Sequence, residues 1–571
     1  MAKLADSPLP PPQLLCQARS LIRLQEEARS AEQDGLQNSD LRLLASCGCN
    51  GRYPNNVERD MHRRLRKKLQ ISVQPFMVKT ELLFGTFRNS GAAVAMLLPH
   101  EMFADICTKM PALAAERICG APGTAEDFWD LMKGESWMAT HPLRERLLSS
   151  NPPTPLRTWG DDCALGKSGY TEARVMNWCS CVGTGTSMEV KIPIYILSTA
   201  QMTGQTEGPL LYVIAWSFFC LMTGVHPSLD PWGEPWPPNT DRAKKAGSPL
   251  PYAAVVQIGG DWKYLQQIMH MQNAWSSLYP CFWCKIHQND ITDPNAQWEP
   301  RTTLEYMLEA NPSPLASQPG WDRTMVVGDV MHDDMLGVRQ QFVGSAMLLL
   351  ARERHFWGPP APHGTWQEKL QQQLSTAYTE FKKWVRDHGL KCSQTRFKPS
   401  TLRLTTLGSW PEANVKAHNC AIISLWICAC CKKLFDLHAD DEAKELAMTA
   451  NGFKMLWEIY HDAPRRLTDH DRQRLETARV RALCGFNSLS QRALNTNRFF
   501  FHVIPKYHKL DHTLRFGVRT ALNPSSYWTF ADEDWIGWMS RLAHSCHSSS
   551  MMNRAIFRWQ FTYYAQALPL S

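Results

Sequence analysis

The chain lacks the features of a secreted, membrane-spanning or repetitive protein. Its 571 residues contain no internal repeat, and its start, MAKLADSPLPPPQ, has no apolar segment of the kind found in a secretory signal. The most apolar run, from Leu210 to Met222, is too short to cross a bilayer comfortably and predicts a buried helix. The 18 cysteines therefore indicate a reducing compartment rather than a disulfide framework.

A large excess of one charge is absent as well. Lys and Arg number 61 against 54 Asp and Glu, and the formal net charge of +7 permits an anionic partner without requiring one. With 44% hydrophobic and 20% charged residues, the composition excludes a collagen-like, coiled-coil or wholly disordered protein. The sequence predicts a folded globular protein, and its function has to be sought in local motifs.

Basic residues are most concentrated in ERDMHRRLRKKLQ, residues 58–70. Such a run can bind DNA phosphates or serve as a nuclear import signal, and the alternative is the solvated face of a helix. It lies within a first region, residues 1–150, that the sequence predicts to be mainly helical. The candidate DNA-binding residues are Arg63, Arg64, Arg66, Lys67 and Lys68.

The periodicity changes after residue 150. Three successive strand-like runs are followed by an apolar helix and a fourth strand, which predicts an α/β sheet whose first strand is antiparallel to its neighbours. From residue 336 to 495 the apolar spacing is helical, and a later helix carries Glu533 off its apolar stripe, on a different part of the helix surface. The predicted strands are 157–165, 173–183, 189–199 and 252–258, with the apolar helix at 208–224.

Two acidic residues follow strands of this predicted sheet. Asp161 comes after the first strand and Asp261 after the fourth. Ligands of α/β sheets bind at the carboxyl ends of strands, so these carboxylates are candidates for catalysis or metal binding. The alternative, for Asp261 and for Asp162, is a turn or a helix cap.

Cysteine and histidine spacing predicts a zinc site. In CFWCKIH, Cys281 and Cys284 can hold Zn²⁺ from a tight knuckle, with His287 as a third ligand. The alternative is a pair of buried thiols beside two aromatic residues. The candidates for a fourth ligand are His270, Asp290 and His363.

Two further motifs could belong to a functional site. In DVMHDD, the spacing of Asp329 and His332 can point a carboxylate and an imidazole along one helix face, although the helix dipole is a structural reason for acidic residues there. In KYHKLDH, His508 and His512 have the spacing of metal-binding helices. The second motif lacks the Glu of H-E-x-x-H, so we do not predict a metalloprotease.

Taken in order, these motifs resemble the transposases of CACTA (En/Spm-type) DNA transposons over about residues 156–548. The DVMH segment and the late His-rich segment are the most specific parts of the resemblance. The matching segments are LRTWGDDCALG around Asp161, Asp261 followed by Cys281 and Cys284, DVMH at 329–332, IPKYHKLDHTLR at 504–515, and YWTFADEDWIGWMSRL around Glu533.

The resemblance implies an α/β, RNase H-like catalytic core with a zinc-knuckle-like segment and a large helical insertion. Its D-D-E triad would be Asp161, Asp261 and Glu533, which would bind Mg²⁺ or Mn²⁺. Asp329 and His332 would be a D-x-x-H pair, and Zn²⁺ at the knuckle would be structural. The implied regions are 1–150, the N-terminal region; 151–335, the first part of the core; 336–495, the insertion; and 496–571, the return to the core.

The same resemblance implies a DDE-type transposase that cuts and joins phosphodiester bonds at transposon ends. Its partners would be DNA terminal repeats and further copies of the chain, in the nucleus and not at a membrane. A transposon-derived DNA-binding protein without catalysis is one alternative. A zinc-dependent hydrolase that uses Cys281, Cys284 and His287 is another, but it leaves the acidic positions unexplained.

Overall fold

The structure of the chain is a computed structural model. It has a mixed α/β fold, and 55% of its residues are helical. Its strands are β1 (Phe76–Phe84), β2 (Phe87–Met96), β3 (Thr154–Ala164), β4 (Glu172–Ser180), β5 (Ile192–Ser198) and β6 (Ala253–Gly260). The residues that the structure describes are 25–30, 42, 44–165, 172–272, 276–293, 296, 298–406, 408–546 and 550–567.

Helices connect and follow these strands. The longer ones are α1 (Pro54–Lys68), α2 (Pro99–Lys109), α3 (Thr124–Met132), α4 (Glu207–Thr223), α5 (Trp262–Ile268), α6 (Arg339–Leu348), α7 (Trp366–Asp387), α8 (Ala417–His438), α9 (Asp441–Asp462), α10 (Asp469–Arg479), α11 (Gly485–Asn495), α12 (Lys506–Thr520), α13 (Phe530–His544) and α14 (Met551–Ala567). Short helices cover Cys47–Asn50, Pro111–Ala114, Ser136–Thr140, Arg144–Leu147, Ser187–Val190, Asp241–Lys245 and Thr303–Met307, and a π-helix covers Met331–Val338.

The chain divides into two compact units, each built from segments distant in sequence. Unit 1 contains the six strands β1–β6 and helices α1–α5, α13 and α14. Only the first residue of α13, Phe530, belongs to unit 2, which contains α6–α12. The predicted helical insertion, 336–495, lies wholly within unit 2. Unit 1 comprises 1–270, 307–325 and 531–571, and unit 2 comprises 271–306 and 326–530.

The central sheet of unit 1 has the strand order β5-β4-β3-β6. β4 is antiparallel to both β3 and β5, whereas β3 and β6 are parallel. Parallel neighbours need a long crossover, and the chain between β5 and β6 supplies one that contains α4. The four strands predicted from sequence are confirmed. The prediction that the first strand is antiparallel to its neighbours is corrected. The strand that is antiparallel to both of its neighbours is β4, whereas the first strand, β3, is parallel to β6.

Glycines at the last parallel pair of β3 and β6, Gly160 and Gly260, allow a tyrosine to pack against the sheet. A Cβ atom at Gly160 would lie 2.2 Å from the Tyr264 hydroxyl, and one at Gly260 would lie 2.5 Å from the Tyr264 ring. Tyr264 is buried on α5, the helix that follows β6. The glycines are therefore required for the close approach of α5 to β3 and β6.

The apolar run at 208–224 forms α4, as predicted. Most of its apolar side chains are buried, including Leu210, Ile214 and Leu221. Among the described residues, no helix is long and apolar enough to cross a membrane.

The N-terminal region is less helical than the sequence predicts, because β1 and β2 form an antiparallel hairpin. Phe76, Val78 and Leu82 are buried while Met77 and Lys79 are exposed. This two-residue alternation buries one face of β1, as expected for a strand with one solvated side.

Unit 2 is organised around a helical core. Trp426 on α8 stacks on Trp357 with ring centroids 5.4 Å apart, and Phe342 on α6 lies 5.0 Å from Phe453 on α9. These rings belong to a continuous cluster of buried apolar residues that extends to Leu514 on α12. The His-rich motif therefore lies on a helix held by this core.

Candidate metal centre and acidic site

Two cysteines and two histidines meet in unit 2. Cys281 and Cys284 come from a loop, while His508 and His512 lie one turn apart on α12. One potential ligand atom from each side chain lies within 4.8 Å of all the others. Within the described part of the chain, this Cys2His2 group is the only set of three or more His, Cys, Asp or Glu side chains gathered so closely.

The distances in the Cys2His2 group suit a tetrahedral zinc ion. Sγ of Cys281 lies 3.5 Å from Nε2 of His512, and Sγ of Cys284 lies 3.4 Å from Nε2 of both His508 and His512. Zn–S bonds of about 2.3 Å and Zn–N bonds of about 2.0–2.1 Å in a tetrahedron separate S from N by about 3.6 Å. The group could hold such a metal with little movement.

The two thiols of the group differ in acidity. Burial opposes ionisation of Cys281, but hydrogen bonding with Cys284 and the charge of His512 bring its pKa well below the ordinary value. The pKa of Cys284 is raised, because of its hydrogen bond with Cys281 and because of burial. One thiolate is thus favoured without a metal, and a metal cation would favour the second.

Surrounding groups hold the loop and the histidine rings in place. The backbone N–H of Trp283 donates to Sγ of Cys281 at 3.3 Å, and Arg301 Nε donates to the carbonyl oxygens of both cysteines at 3.1 Å. The Trp298 ring lies 4.5 Å and 4.4 Å from the rings of His508 and His512, respectively. Such outer contacts orient metal ligands and are typical of a built site.

His287 is not part of the group, so its predicted role as third ligand is corrected. Its ring lies edge-on to Tyr279 at 5.8 Å, and its Nδ1 accepts a hydrogen bond from the Asn289 N–H. The three candidates for a fourth ligand also lie outside the group. Both motifs that form it are visible in the sequence, but their pairing across 224 residues is set by the fold.

The predicted catalytic aspartates of unit 1 lie where the parallel pairing of β3 with β6 ends. Asp261 directly follows β6, but Asp161 lies within β3, which continues to Ala164, so the prediction that Asp161 comes after the first strand is corrected. Gly160 of β3 pairs with Gly260 of β6, so Asp161 and Asp261 are the next residues on the two chains. Adjacent strands lie about 4.8 Å apart. Asp261 also caps α5, because its Oδ1 accepts a hydrogen bond from the Tyr264 N–H at 2.6 Å. Both aspartates are partly exposed.

Asp162 belongs to a different contact network. Alternation along β3 points it to the face opposite Asp161, where Arg174 of β4 forms a two-pronged ion pair with it at 2.8 and 3.0 Å. Arg174 also donates to Glu207 at 2.6 Å. Asp162 is therefore explained by its structural partners.

Glu533 lies on α13, which has two side-chain contacts with β3. Asp532 pairs with Arg157 at 2.7 Å near the start of the helix, and further on the Ser540 hydroxyl donates to the Ala164 carbonyl at 2.5 Å. These two contacts lie on either side of Asp161 on the strand and of Glu533 on the helix. Asp161, Asp261 and Glu533 do not form a group within the 4.8 Å limit.

The D-x-x-H pair forms a hydrogen-bonded cluster in unit 2. Oδ2 of buried Asp329 contacts His332 Nδ1 at 2.5 Å and accepts from the Thr529 hydroxyl at 2.5 Å, while Oδ1 accepts from the Met331 N–H. Burial opposes ionisation of Asp329, but its contacts with His332 hold its pKa below the ordinary value. The carboxylate therefore orients a partly exposed imidazole.

The two acidic residues after His332 have separate partners. Asp333 lies 3.4 Å from Lys509, and burial raises its pKa. Asp334 forms a fully buried ion pair with Arg339 at 2.5 Å. These side-chain partners explain Asp333 and Asp334 better than the helix dipole alone does.

The basic run forms α1, but its cations are not equivalent. Arg59 and Arg63 have 70% and 75% of their side chains exposed, and Lys67 is exposed on the same helix face. Arg66 instead donates to the carbonyls of Ile71 and Val73 at 3.0 and 2.7 Å. The other two predicted DNA-binding residues are Arg64, which bonds to Ser46, and exposed Lys68.

Comparison with known protein families finds no family that matches this chain. Comparison with curated proteins finds no significant match.

Proposed function

We propose that this chain is a DDE-type DNA transposase whose RNase H-like catalytic core lies in unit 1. The observation that carries the proposal is the parallel register of β3 and β6, which brings Asp161, within β3, next to Asp261, directly after β6. The third carboxylate of the proposed triad, Glu533, lies on a helix that has side-chain contacts with β3 on either side of Asp161.

The sheet order supports the same proposal. Three antiparallel strands, β5, β4 and β3, are extended by β6, which is parallel to β3. β3, the strand that carries Asp161, is therefore antiparallel to one neighbour, β4, and parallel to the other, β6. Ligands of open α/β sheets bind at the carboxyl ends of parallel strands, and the two aspartates directly follow Gly160 and Gly260, the last parallel pair of β3 and β6.

The residue types suit phosphodiester chemistry. Two Mg²⁺ ions, when bound, would lower the pKa of the attacking hydroxyl, whose proton would pass to solvent, and would stabilise the leaving oxyanion. Asp161, Asp261 and Glu533 would hold them, because Mg²⁺ prefers carboxylate oxygens. A pair of ions about 3.5–4 Å apart spreads its ligands around both, so such a site does not need all three carboxylates within the spacing of a single ion.

The exposed cationic side chains of α1 would bind the phosphate backbone of the DNA substrate. Arg59, Arg63 and Lys67 recur every four residues on one face, which matches a helix that lies along phosphates. Arg66 would not take part, because its guanidinium holds the chain that follows α1. Asp329 and His332 would belong to the substrate-binding surface of unit 2.

The Cys2His2 group favours a structural zinc over a zinc-dependent hydrolase. Catalytic zinc sites keep one position open for water or substrate, whereas this group supplies four protein ligands. Cys281, Cys284 and His508 are buried. A transposon-derived DNA-binding protein without catalysis remains the second candidate, and the three filled acidic positions favour the active enzyme over it.

Nicking of DNA tests the proposal. We expect the purified chain to nick a supercoiled plasmid that carries the genomic flanks of its gene, in Mg²⁺ or Mn²⁺ and not in EDTA. Asp161→Ala is expected to abolish nicking, because it removes a metal-binding carboxylate. Asp241→Ala removes an exposed carboxylate of the same unit and is the control. Nicking that survives Asp161→Ala would contradict the proposed mechanism.

A further inference from the structure

A buried ion cluster lies one residue before Glu533. Asp532 is 1% exposed, and its two carboxylate oxygens contact different cations. Arg157 Nη2 lies 2.7 Å from Oδ2, and Lys191 Nζ donates to Oδ1. The side chains of Arg157 and Lys191 are themselves only 9% and 4% exposed. These three residues form the Asp532 ion cluster.

This cluster differs from the contact made by the acidic residue on the other side of Glu533. Asp534 is exposed and accepts a hydrogen bond from Ser187 at 2.5 Å. Exposed polar contacts contribute little because water and salt screen them. Removal of one partner from a buried ion pair leaves a charge without compensation and is strongly destabilising. The Asp532 ion cluster therefore restrains α13, whereas Asp534 does not.

The cluster sets the rotation of the helix. Successive residues of an α-helix are separated by about 100° around its axis. With Asp532 held between a β3 side chain and the residue before β5, Glu533 has a defined direction. The bond from Ser540 to Ala164 adds a second attachment further along α13. Together the two attachments oppose rotation and sliding of the helix.

Chain connectivity supplies no comparable restraint. The residues immediately before α13 belong to unit 2, and the chain re-enters unit 1 at Ala531, next to Asp532. Residues 326–530 separate this point from the preceding segment of unit 1. A connection of that length restrains its ends only weakly, since closure entropy grows slowly with length. The position of Glu533 must come from side-chain contacts made at α13 itself.

We propose that the Asp532 ion cluster positions the Glu533 carboxylate for metal binding, a role that rests on the function proposed above. Asp532 is a positioning residue and not a metal ligand, because both of its carboxylate oxygens are engaged by cations. The same assignment settles the choice among the three consecutive acidic residues of α13. Asp532 forms buried ion pairs that hold α13, Asp534 is solvated, and Glu533 is the metal ligand.

Two measurements on the full chain test this proposal. Electron paramagnetic resonance measures Mn²⁺ binding, and amide hydrogen exchange measures the protection of α13. The variants are Asp532→Asn, which keeps the shape of the side chain and removes its charge, Glu533→Gln, and Asp534→Asn as the matched control. Asp532→Asn combined with Lys191→Met removes the carboxylate together with one buried cation. It replaces the single variant if that fails to fold. Amide exchange is measured on peptides of residues 531–544.

We expect Asp532→Asn to weaken Mn²⁺ binding about tenfold, as loss of a group that orients a ligand does. Amide exchange in residues 531–544 should rise while the rest of unit 1 stays protected. Glu533→Gln should weaken Mn²⁺ binding at least as much without faster exchange, since it leaves the helix attached. Asp534→Asn should change neither quantity by more than about twofold.

Two results would overturn the positioning role. One is unchanged exchange in residues 531–544 of Asp532→Asn, and the other is faster exchange with unchanged Mn²⁺ affinity. If Asp532→Asn abolishes Mn²⁺ binding while Glu533→Gln retains it, Asp532 is the ligand and the proposal is wrong. Failure of the proposed function has a different signature: the wild type binds no Mn²⁺ outside the Cys2His2 group, whatever exchange shows.

Discussion

The two candidate sites of this protein are built in opposite ways. In the Cys2His2 group of unit 2, sulfur and nitrogen atoms already lie 3.4 to 3.5 Å apart, and three of the four side chains are buried. In unit 1, Asp161 lies within β3, Asp261 directly follows β6 and Glu533 lies on a helix distant in sequence, and all three are partly exposed. The fold alone brings the ligand atoms of the Cys2His2 group together. It places the three carboxylates in one unit without bringing them together.

The charges of the ligands explain this difference. Imidazoles and thiols can pack against each other without a metal, because one thiolate beside His512 is favoured and ionisation of the second thiol is opposed. Three carboxylates repel one another at short distance, so they cannot be packed together until a cation is present. A preassembled closed site is therefore typical of a structural ion, and an open acidic site is typical of ions that arrive with the substrate.

Loss of the zinc ion that we propose for the Cys2His2 group is expected to have the largest effect. Cys284→Ser removes one ligand and should lower zinc content from one ion per chain to near zero, with loss of up to about 10 kcal/mol in the unfolding free energy of unit 2. Elemental analysis and urea unfolding measure the two quantities. His287→Ala is the control and should keep its zinc, because His287 lies outside the group. Loss of zinc in His287→Ala, or full zinc in Cys284→Ser, would contradict this ligand assignment.

The scaffold of the acidic site should show an effect of intermediate size. Gly160→Ala would place a Cβ atom 2.2 Å from the Tyr264 hydroxyl, so we expect a loss of about 1–3 kcal/mol in the unfolding free energy. Gly134→Ala is the control, because no heavy atom lies within 4 Å of its Cβ position. Urea unfolding of both variants tests the fit of α5 against β3. Equal effects of the two substitutions would show that this fit does not matter.

The smallest effect on stability is expected from the cations of α1. The triple change Arg59→Ala, Arg63→Ala and Lys67→Ala removes exposed side chains and should alter the unfolding free energy by about 0.5 kcal/mol or less. It should nevertheless reduce the slope of log K against log salt for DNA binding by about 3, since each phosphate contact contributes about 0.9. An unchanged slope would show that this helix face does not bind DNA.

Local periodicity allowed much of unit 1 to be predicted from the sequence. The four strands of the central sheet and the apolar helix α4 follow from runs of β-branched and apolar residues. The strand directions did not follow, because parallel pairing of β3 with β6 depends on where the crossover containing α4 places β6. The β1–β2 hairpin was missed although its alternation is visible in FMVKTELLF.

The metal centre was only half predictable for a related reason. The C-x-x-C knuckle and the H-x-x-x-H spacing are local signals, and both motifs were recognised. Their combination brings together loop residues and helix α12 over more than two hundred residues, which no local pattern encodes. His287 was the nearest histidine in sequence and was preferred for that reason alone. The partners of Asp532, likewise, lie on segments more than three hundred residues away.

A crystal of the zinc-loaded chain soaked in MnCl₂ tests the central claim most directly, through anomalous scattering at the manganese and zinc edges. We predict manganese bound by Asp161, Asp261 and Glu533, with zinc alone in the Cys2His2 group. The soaked Asp161→Ala variant should lose the manganese and keep the zinc. Manganese absent from the three carboxylates of the wild type, with the zinc site intact, would contradict the account of unit 1 as a metal-dependent catalytic core.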